Sequence, residues 1–288
     1  MHASPSPSVP SPVSSPVSSL PLVLVVPCYN EAHRLDGGAF QSALQQFPWL
    51  QLLFVDDGST DDTARVLETL RAAAPDRIEL LALARNGGKA EAVRRGLLHV
   101  ATMRPDGLCG FWDADLSAPL TELPALRETL ARRDDIQWVW GIRLRALGRH
   151  ITRRPLRHYL GRLFATCSSL LLGIDSYDTQ CGAKLFRCSP LLETALSEPF
   201  RSRWIFDVEL LTRGQALLQC EGRRTIDDVV YEQPLAEWQH RAGSKVRSGD
   251  FFRALRELQL IRDARVRWRR AMAPAKTISS PSSHPPQP

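Results

Sequence analysis

Short continuous apolar runs punctuate the chain at Leu22–Val26, Leu52–Val55, Ile78–Leu83, Leu108–Trp112 and Ile136–Trp140, and each reads as a strand. Helical patterns separate the first four, near Glu31–Gln46, Asp62–Ala73 and Gly88–Thr102. Strands with no polar face, alternating with helices, imply an α/β fold: a mostly parallel sheet covered by helices on both faces. Such sheets bind ligands beyond the carboxyl ends of their strands, so polar residues there are the first place to look for chemistry. Near the C-terminus, Phe251, Leu255, Leu258, Ile261, Ala264 and Trp268 recur at three- and four-residue steps, with Ser248 or Asp250 as a cap. That spacing predicts an amphipathic helix over 248–272, following a domain over 20–247. Residues 1–19 and 273–288 are rich in Ser and Pro and are expected to be disordered tails.

Composition narrows the class. With 43% hydrophobic and 24% charged residues among 288, the chain is neither mostly disordered, collagen-like nor a multi-span membrane protein. The longest membrane candidate, Leu163–Ile174, is short and interrupted by Thr166, Ser168 and Ser169. No basic region precedes the first apolar stretch, so no signal peptide is expected. Six scattered cysteines without zinc spacing fit a reduced, cytoplasmic chain.

The strand ends carry a consistent set of groups. Pro27-Cys28-Tyr29-Asn30-Glu31 follows the first strand, and Asp56-Asp57-Gly58-Ser59-Thr60-Asp61-Asp62 the second. A carboxylate at the second tip could accept a uracil imide N–H or hold a ribose hydroxyl; a turn with helix caps is the plain structural alternative. Asn86-Gly87-Gly88-Lys89 opens the third helix, where free N–H groups and a Lys favour a phosphate. It is not a P-loop, because Leu83 stands where that motif needs Gly and Ala90 where it needs a hydroxyl. Asp113-Ala114-Asp115 follows the fourth strand, and residues two apart on extended chain share a face, so both carboxylates can reach one Mg²⁺ or Mn²⁺. Together these groups describe a nucleotide-diphosphate site with a divalent metal.

In this order the motifs resemble the family-2 glycosyltransferases of GT-A (Rossmann-like) fold, over roughly Leu22 to Leu260. Asp178-Thr179-Gln180-Cys181-Gly182-Ala183-Lys184, Arg203-Trp204-Ile205-Phe206-Asp207 and Gly243-Ser244-Lys245 bring the likeness nearest to dolichyl-phosphate β-glucosyltransferases. The resemblance implies inverting transfer of a hexose, from UDP-glucose, to a polyprenyl phosphate. It implies nucleotide contacts from Pro27, Tyr29, Glu31, Asp57 and Lys89, with Asp56 at the same tip, and a metal on Asp113 and Asp115. Arg143, Arg241, Ser244 and Lys245 would bind acceptor phosphate or close over the donor. Gln180 and Lys184, in a polar turn between apolar runs, could orient donor or acceptor; Trp204 is a further substrate candidate, with core packing as its plain structural alternative. A phosphate acceptor is already largely ionised and barely needs a general base. A soluble hydroxyl acceptor would need one, and Asp178 or Asp207 is then the candidate. The eukaryotic glucosyltransferases carry an N-terminal membrane anchor where this chain has its Ser/Pro segment.

The net charge of +6 is unevenly placed. Residues 143–162 hold seven Arg and no acid, and residues 241–270 hold ten Lys or Arg against three acids, leaving the rest of the chain acidic. Aromatics there are few and no recognised module appears, so nucleic acid is not the expected partner. An anionic lipid surface is, with the protein peripheral on the cytoplasmic face. Vesicles containing anionic phospholipid should therefore sediment the protein at low salt and release it as NaCl shortens the Debye length below ~10 Å. Absence of vesicle binding at every ionic strength would point to an acceptor free in solution.

Overall fold

A computed structural model describes residues 20–152, 155–221, 225–240 and 250–271. Seven strands form one sheet: β1 (Leu22–Cys28), β2 (Leu50–Asp56), β3 (Ile78–Ala82), β4 (Leu108–Trp112), β5 (Trp138–Ile142), β7 (Ala183–Arg187) and β8 (Val230–Pro234). Their order is β3-β2-β1-β4-β7-β5-β8. All run parallel except β7, which lies antiparallel between β4 and β5. A small second sheet pairs β6 (His150–Thr152) with β9 (Glu237–Gln239). The expected parallel α/β sheet is thus present, with one reversed strand.

The helices are α1 (Gly37–Gln46), α2 (Thr63–Ala73), α3 (Lys89–Met103), α4 (Leu123–Arg132), α5 (Pro155–Leu172), α6 (Pro190–Leu196), α7 (Phe206–Glu221) and α8 (Asp250–Ala271). Along β1, side chains alternate between two cores, because successive Cβ atoms point to opposite faces. Val23 and Val25 join α3, α6, α7 and α8, whereas Leu22, Leu24 and Val26 join α1, α2 and α4. α8 lies where the amphipathic pattern placed it: of the expected stripe Leu258, Ile261, Ala264 and Trp268 are buried and Leu255 is half-buried, while Ala254 joins the buried face. Chain order changes direction between β1 and β4, which opens a crevice at the carboxyl ends of these two strands.

One helix begins later than its pattern suggests. Residues 31–36 form a turn, and α1 starts only at Gly37. The N–H groups of Asn30, Glu31 and Ala32 donate to Ser59 Oγ, Thr63 Oγ1 and Asp61 Oδ2, so they bind the loop after β2 rather than open a helix. Asn30 adopts φ 54°, a conformation that Asn tolerates better than most residues, and its side chain accepts the Thr60 N–H. Asp36 then caps α1 by accepting the Ala39 N–H at 3.0 Å. Replacing Asp36 by Ala should cost about 1 kcal/mol in urea unfolding. An unchanged midpoint would remove the cap as the cause of the late start.

Candidate active site

Every described strand-end motif gathers at one rim of the sheet. Asp57, expected as a nucleotide contact, is 2% exposed and serves the backbone instead. Its carboxylate accepts the N–H groups of Gly87 and Gly88, each at 2.8 Å, and the Asn86 amide at 3.0 Å. These two glycine N–H groups were the expected phosphate donors, and the Asp57 carboxylate already fills them. Asp57 therefore fixes the loop that delivers Lys89. Asp56 remains half-buried at the tip of β2, with Oδ1 accepting the Ser59 N–H. Pro27, Tyr29 and Glu31 are half-buried beside it at the end of β1.

Lys89 and Asp113 meet across the crevice at 2.5 Å. The protein around Lys89 disfavours its charge, but the carboxylates of Asp113, Asp207 and Asp115 outweigh this and raise its pKa. Asp113 rests directly on Gly182: a Cβ there would stand 2.1 Å from Asp113 Oδ2, so this position admits no side chain. Asp115 turns one oxygen inward to accept the Ser117 N–H, in a turn where Leu116 takes φ 51°. Among the described residues no three His, Cys, Asp or Glu side chains are grouped to hold a metal. Two hard oxygen donors nonetheless fit a divalent cation whose remaining oxygens come from a diphosphate.

Both candidate general bases are engaged in ion pairs, Asp178 with Arg143 and Asp207 with Lys184. Asp178 grips Arg143 through two contacts, Nε at 2.6 Å and Nη2 at 2.7 Å, and also accepts the Arg143 backbone N–H. Burial works against the Arg143 charge and the Asp178 carboxylate more than offsets it; the guanidinium also lies 5.2 Å from the Trp238 ring centre. Arg143 is therefore not an unpaired cation awaiting an acceptor. Asp207 heads α7, is 4% exposed, and binds Lys184 at 2.8 Å. Burial raises its carboxyl pKa against the pull of Lys184 and Lys89.

Lys184 itself is fully buried, bonded to the carbonyls of Thr179 and Cys181, with the rings of Phe111 and Trp140 at 5.1 and 4.4 Å. Gln180 Nε2 is buried without a hydrogen-bond partner at the same rim. Trp204 is half-buried and packs on the core, consistent with a structural role. Arg241, Ser244 and Lys245 lie outside the described residues.

Sequence reasoning passed over two residues that organise this rim. Glu232 on β8 accepts the N–H groups of Tyr177 and Asp178 and the Ser176 hydroxyl, fixing the loop that carries Asp178 and Gln180. A lone acid within the run Val229-Val230-Tyr231-Glu232 was the available signal. Asn86 was seen only as part of a loop, yet its amide ties that loop to Asp57. The basic segments are also partly structural: Arg149 donates to the Pro234 and Leu235 carbonyls, and Arg265 to that of Leu172. Arg253, Arg256, Arg262 and Arg267 on α8 are exposed. Residues 153–154 and the side chains of 155–163 lie outside the description. Among the described residues no helix is long and apolar enough to cross a membrane.

Removing the Lys184 ammonium strands a buried carboxylate and two carbonyls. Lys184→Met should cost ~3–5 kcal/mol in urea unfolding, and Lys184→Met/Asp207→Leu should recover part of that. A single-variant cost below ~1 kcal/mol would mean that the pair does not hold the rim together.

Comparison with known proteins agrees with this architecture. The model of the family described as "Glycosyl transferase family 2" matches residues 23–193. A dolichyl-phosphate beta-glucosyltransferase of Dictyostelium discoideum is 30% identical over 223 residues, covering 70% of this chain and 64% of its own. One from Mus musculus is 32% identical over 233 residues, covering 73% and 67%. The chain thus spans about two thirds of the length of these relatives. Among solved structures, Mycobacterium tuberculosis glucosyl-3-phosphoglycerate synthase in complex with Mn²⁺ and UDP-glucose superposes with a TM-score of 0.60 at 19% identity. That match covers 86% of this chain and 79% of the other, and at that identity it speaks for the fold. The sheet order, the site at its carboxyl rim and these matches together place the chain in glycosyl transferase family 2.

Proposed function

We propose that the protein transfers a hexose, with inversion, from UDP-glucose to a polyprenyl phosphate at an anionic membrane surface on the cytoplasmic side. The observation that carries the choice of acceptor is the pairing of both candidate bases, Asp178 with Arg143 and Asp207 with Lys184. A hydroxyl acceptor needs a carboxylate free to take its proton, whereas a phosphate oxygen brings its own charge. The names of the curated relatives point the same way.

In this reading Asp56 takes the base or ribose of the donor at the tip of β2, with Pro27, Tyr29 and Glu31 forming the adjacent wall. Asp113 and Asp115 would hold Mg²⁺ or Mn²⁺, which would supply Lewis-acid neutralisation of the diphosphate. Lys89 exchanges its partner Asp113 for a diphosphate oxygen. The acceptor phosphate oxygen attacks C1, the bond from C1 to the β-phosphate oxygen breaks, and UDP leaves with the electron pair. Charge accumulates on that leaving group, and in this reading Lys89 stabilises it. Gln180, with its buried and unpartnered Nε2, donates to a sugar hydroxyl. Arg241, Ser244 and Lys245 serve the acceptor phosphate. The exposed arginines of α8, with half-exposed Leu260 among them, rest on the lipid surface.

A panel of nucleotide-sugars with Mg²⁺ or Mn²⁺, offered a short-chain polyprenyl phosphate, a soluble hydroxyl compound or water, tests the reading. Turnover should require the polyprenyl phosphate and should fall at least ~100-fold in Asp113→Asn and Asp115→Asn. Full turnover in those variants would refute the metal assignment, and transfer to the hydroxyl compound alone would refute the acceptor.

A further inference from the structure

Arg203 lies over the glycine turn that leads to Lys89. Its Nη2 donates to the Gly87 carbonyl at 3.3 Å, and its guanidinium fills the space that a side chain at Gly88 would take. A Cβ at Gly88 would stand 3.3 Å from Nη2 and 3.4 Å from Nε, and the residue has φ 88°. Gly88 is thus doubly required, by its backbone and by the cation resting on it. Arg203 is exposed, and among the described residues no carboxylate pairs with it. The nearest acid on the first turn of α3, Glu91, is already bonded to Arg94 and Arg95. By contrast Lys89, Arg143 and Lys184 at the same rim each face a carboxylate.

The loop carrying Arg203 is held firmly. Glu209, fully buried, accepts the N–H groups of Arg201 and Ser202 and also pairs with Arg213. The Ser202 hydroxyl bridges the Ile205 N–H and Glu257 on α8. A rigid mount with a charged, unpaired tip is what a preorganised anion contact requires. The carboxylates of Asp113, Asp115 and Asp207 already surround Lys89, and a departing diphosphate adds more negative charge than a divalent cation cancels, so a further cation at this rim would be needed.

Resting on the donor site proposed above, we infer that Arg203 binds the diphosphate of the nucleotide-sugar from the side opposite Asp113. It is a substrate-touching residue that stabilises the leaving group together with Lys89. Its planar fork can meet two phosphate oxygens while remaining on the Gly87 carbonyl.

Calorimetric titration of the full chain with uridine, UMP and UDP, each with Mn²⁺, tests this. Arg203→Ala should weaken UDP at least about tenfold while shifting uridine less than about twofold, and Arg203→Lys should fall between. Arg201→Ala removes the same charge two residues away in the same loop and should leave UDP affinity unchanged. The inference is overturned if Arg203→Ala binds UDP like the unaltered protein, or loses uridine and UDP equally, as a purely structural residue would. It is also overturned if UDP affinity holds and only the KM for a polyprenyl phosphate rises. If the unaltered protein binds neither uridine nor UDP, the donor site itself is wrong, a failure visible before any variant is made.

Discussion

The rim of this sheet hangs on one buried ammonium. Lys184 lies inside the molecule with no exposure, between the rings of Phe111 on β4 and Trp140 on β5, and reaches Asp207 at the start of α7. Burying a lysine is costly unless every donor is answered, and here two carbonyls and a carboxylate answer all three. Those carbonyls belong to Thr179 and Cys181, which flank Gln180. The next residue, Gly182, is the surface on which Asp113 sits. A single side chain thereby fixes β4, β5, the 178–182 loop and α7 relative to one another, and the DxD carboxylate inherits its position from that arrangement.

Charge in this region is organised by pairing rather than by excess. Each buried ion has its partner: Arg143 with Asp178, Lys184 with Asp207, Arg213 with Glu209. Asp57, buried with three N–H donors, is satisfied without any cation. Above these pairs lies a more exposed layer that holds Asp56, Lys89, Asp113 and Asp115. A low-dielectric floor of satisfied pairs strengthens electrostatics in that layer, because fields there are weakly screened from below.

The alternation of apolar runs with helical periods was enough to read the parallel sheet, its two covered faces and the motifs at its rim. Those features are local, written in consecutive residues. The pairings were not legible, because Arg143 and Asp178, or Asp57 and Gly87, meet only after the chain has folded back across dozens of residues. Asp57 shows the limit most clearly. As a sequence feature it was one of two acids at a strand tip, and only the approach of the Asn86-Gly87-Gly88 loop assigns it to the backbone and leaves Asp56 facing out. The start of α1 was misjudged for a similar reason, since the N–H groups of residues 30–32 find partners in the loop after β2. The direction of β7 is likewise silent in composition: Ala183-Lys184-Leu185-Phe186 reads the same whichever way its neighbours run.

The reversed strand also imposes an order of events on synthesis. β4 ends at Trp112, but the strand that covers its outer edge begins only at Ala183. Over the intervening seventy residues of translation, which a ribosome takes on the order of 4–15 s to add, the nascent chain carries Leu108-Cys109-Gly110-Phe111-Trp112 with one side unpaired. That edge holds no charge, no proline and two large aromatics, the composition most prone to pairing with a neighbouring chain. β5 emerges meanwhile and cannot take its place beside β4, because β7 must sit between them. The β4 and β5 parts of the sheet thus cannot be joined until residue 187 has emerged.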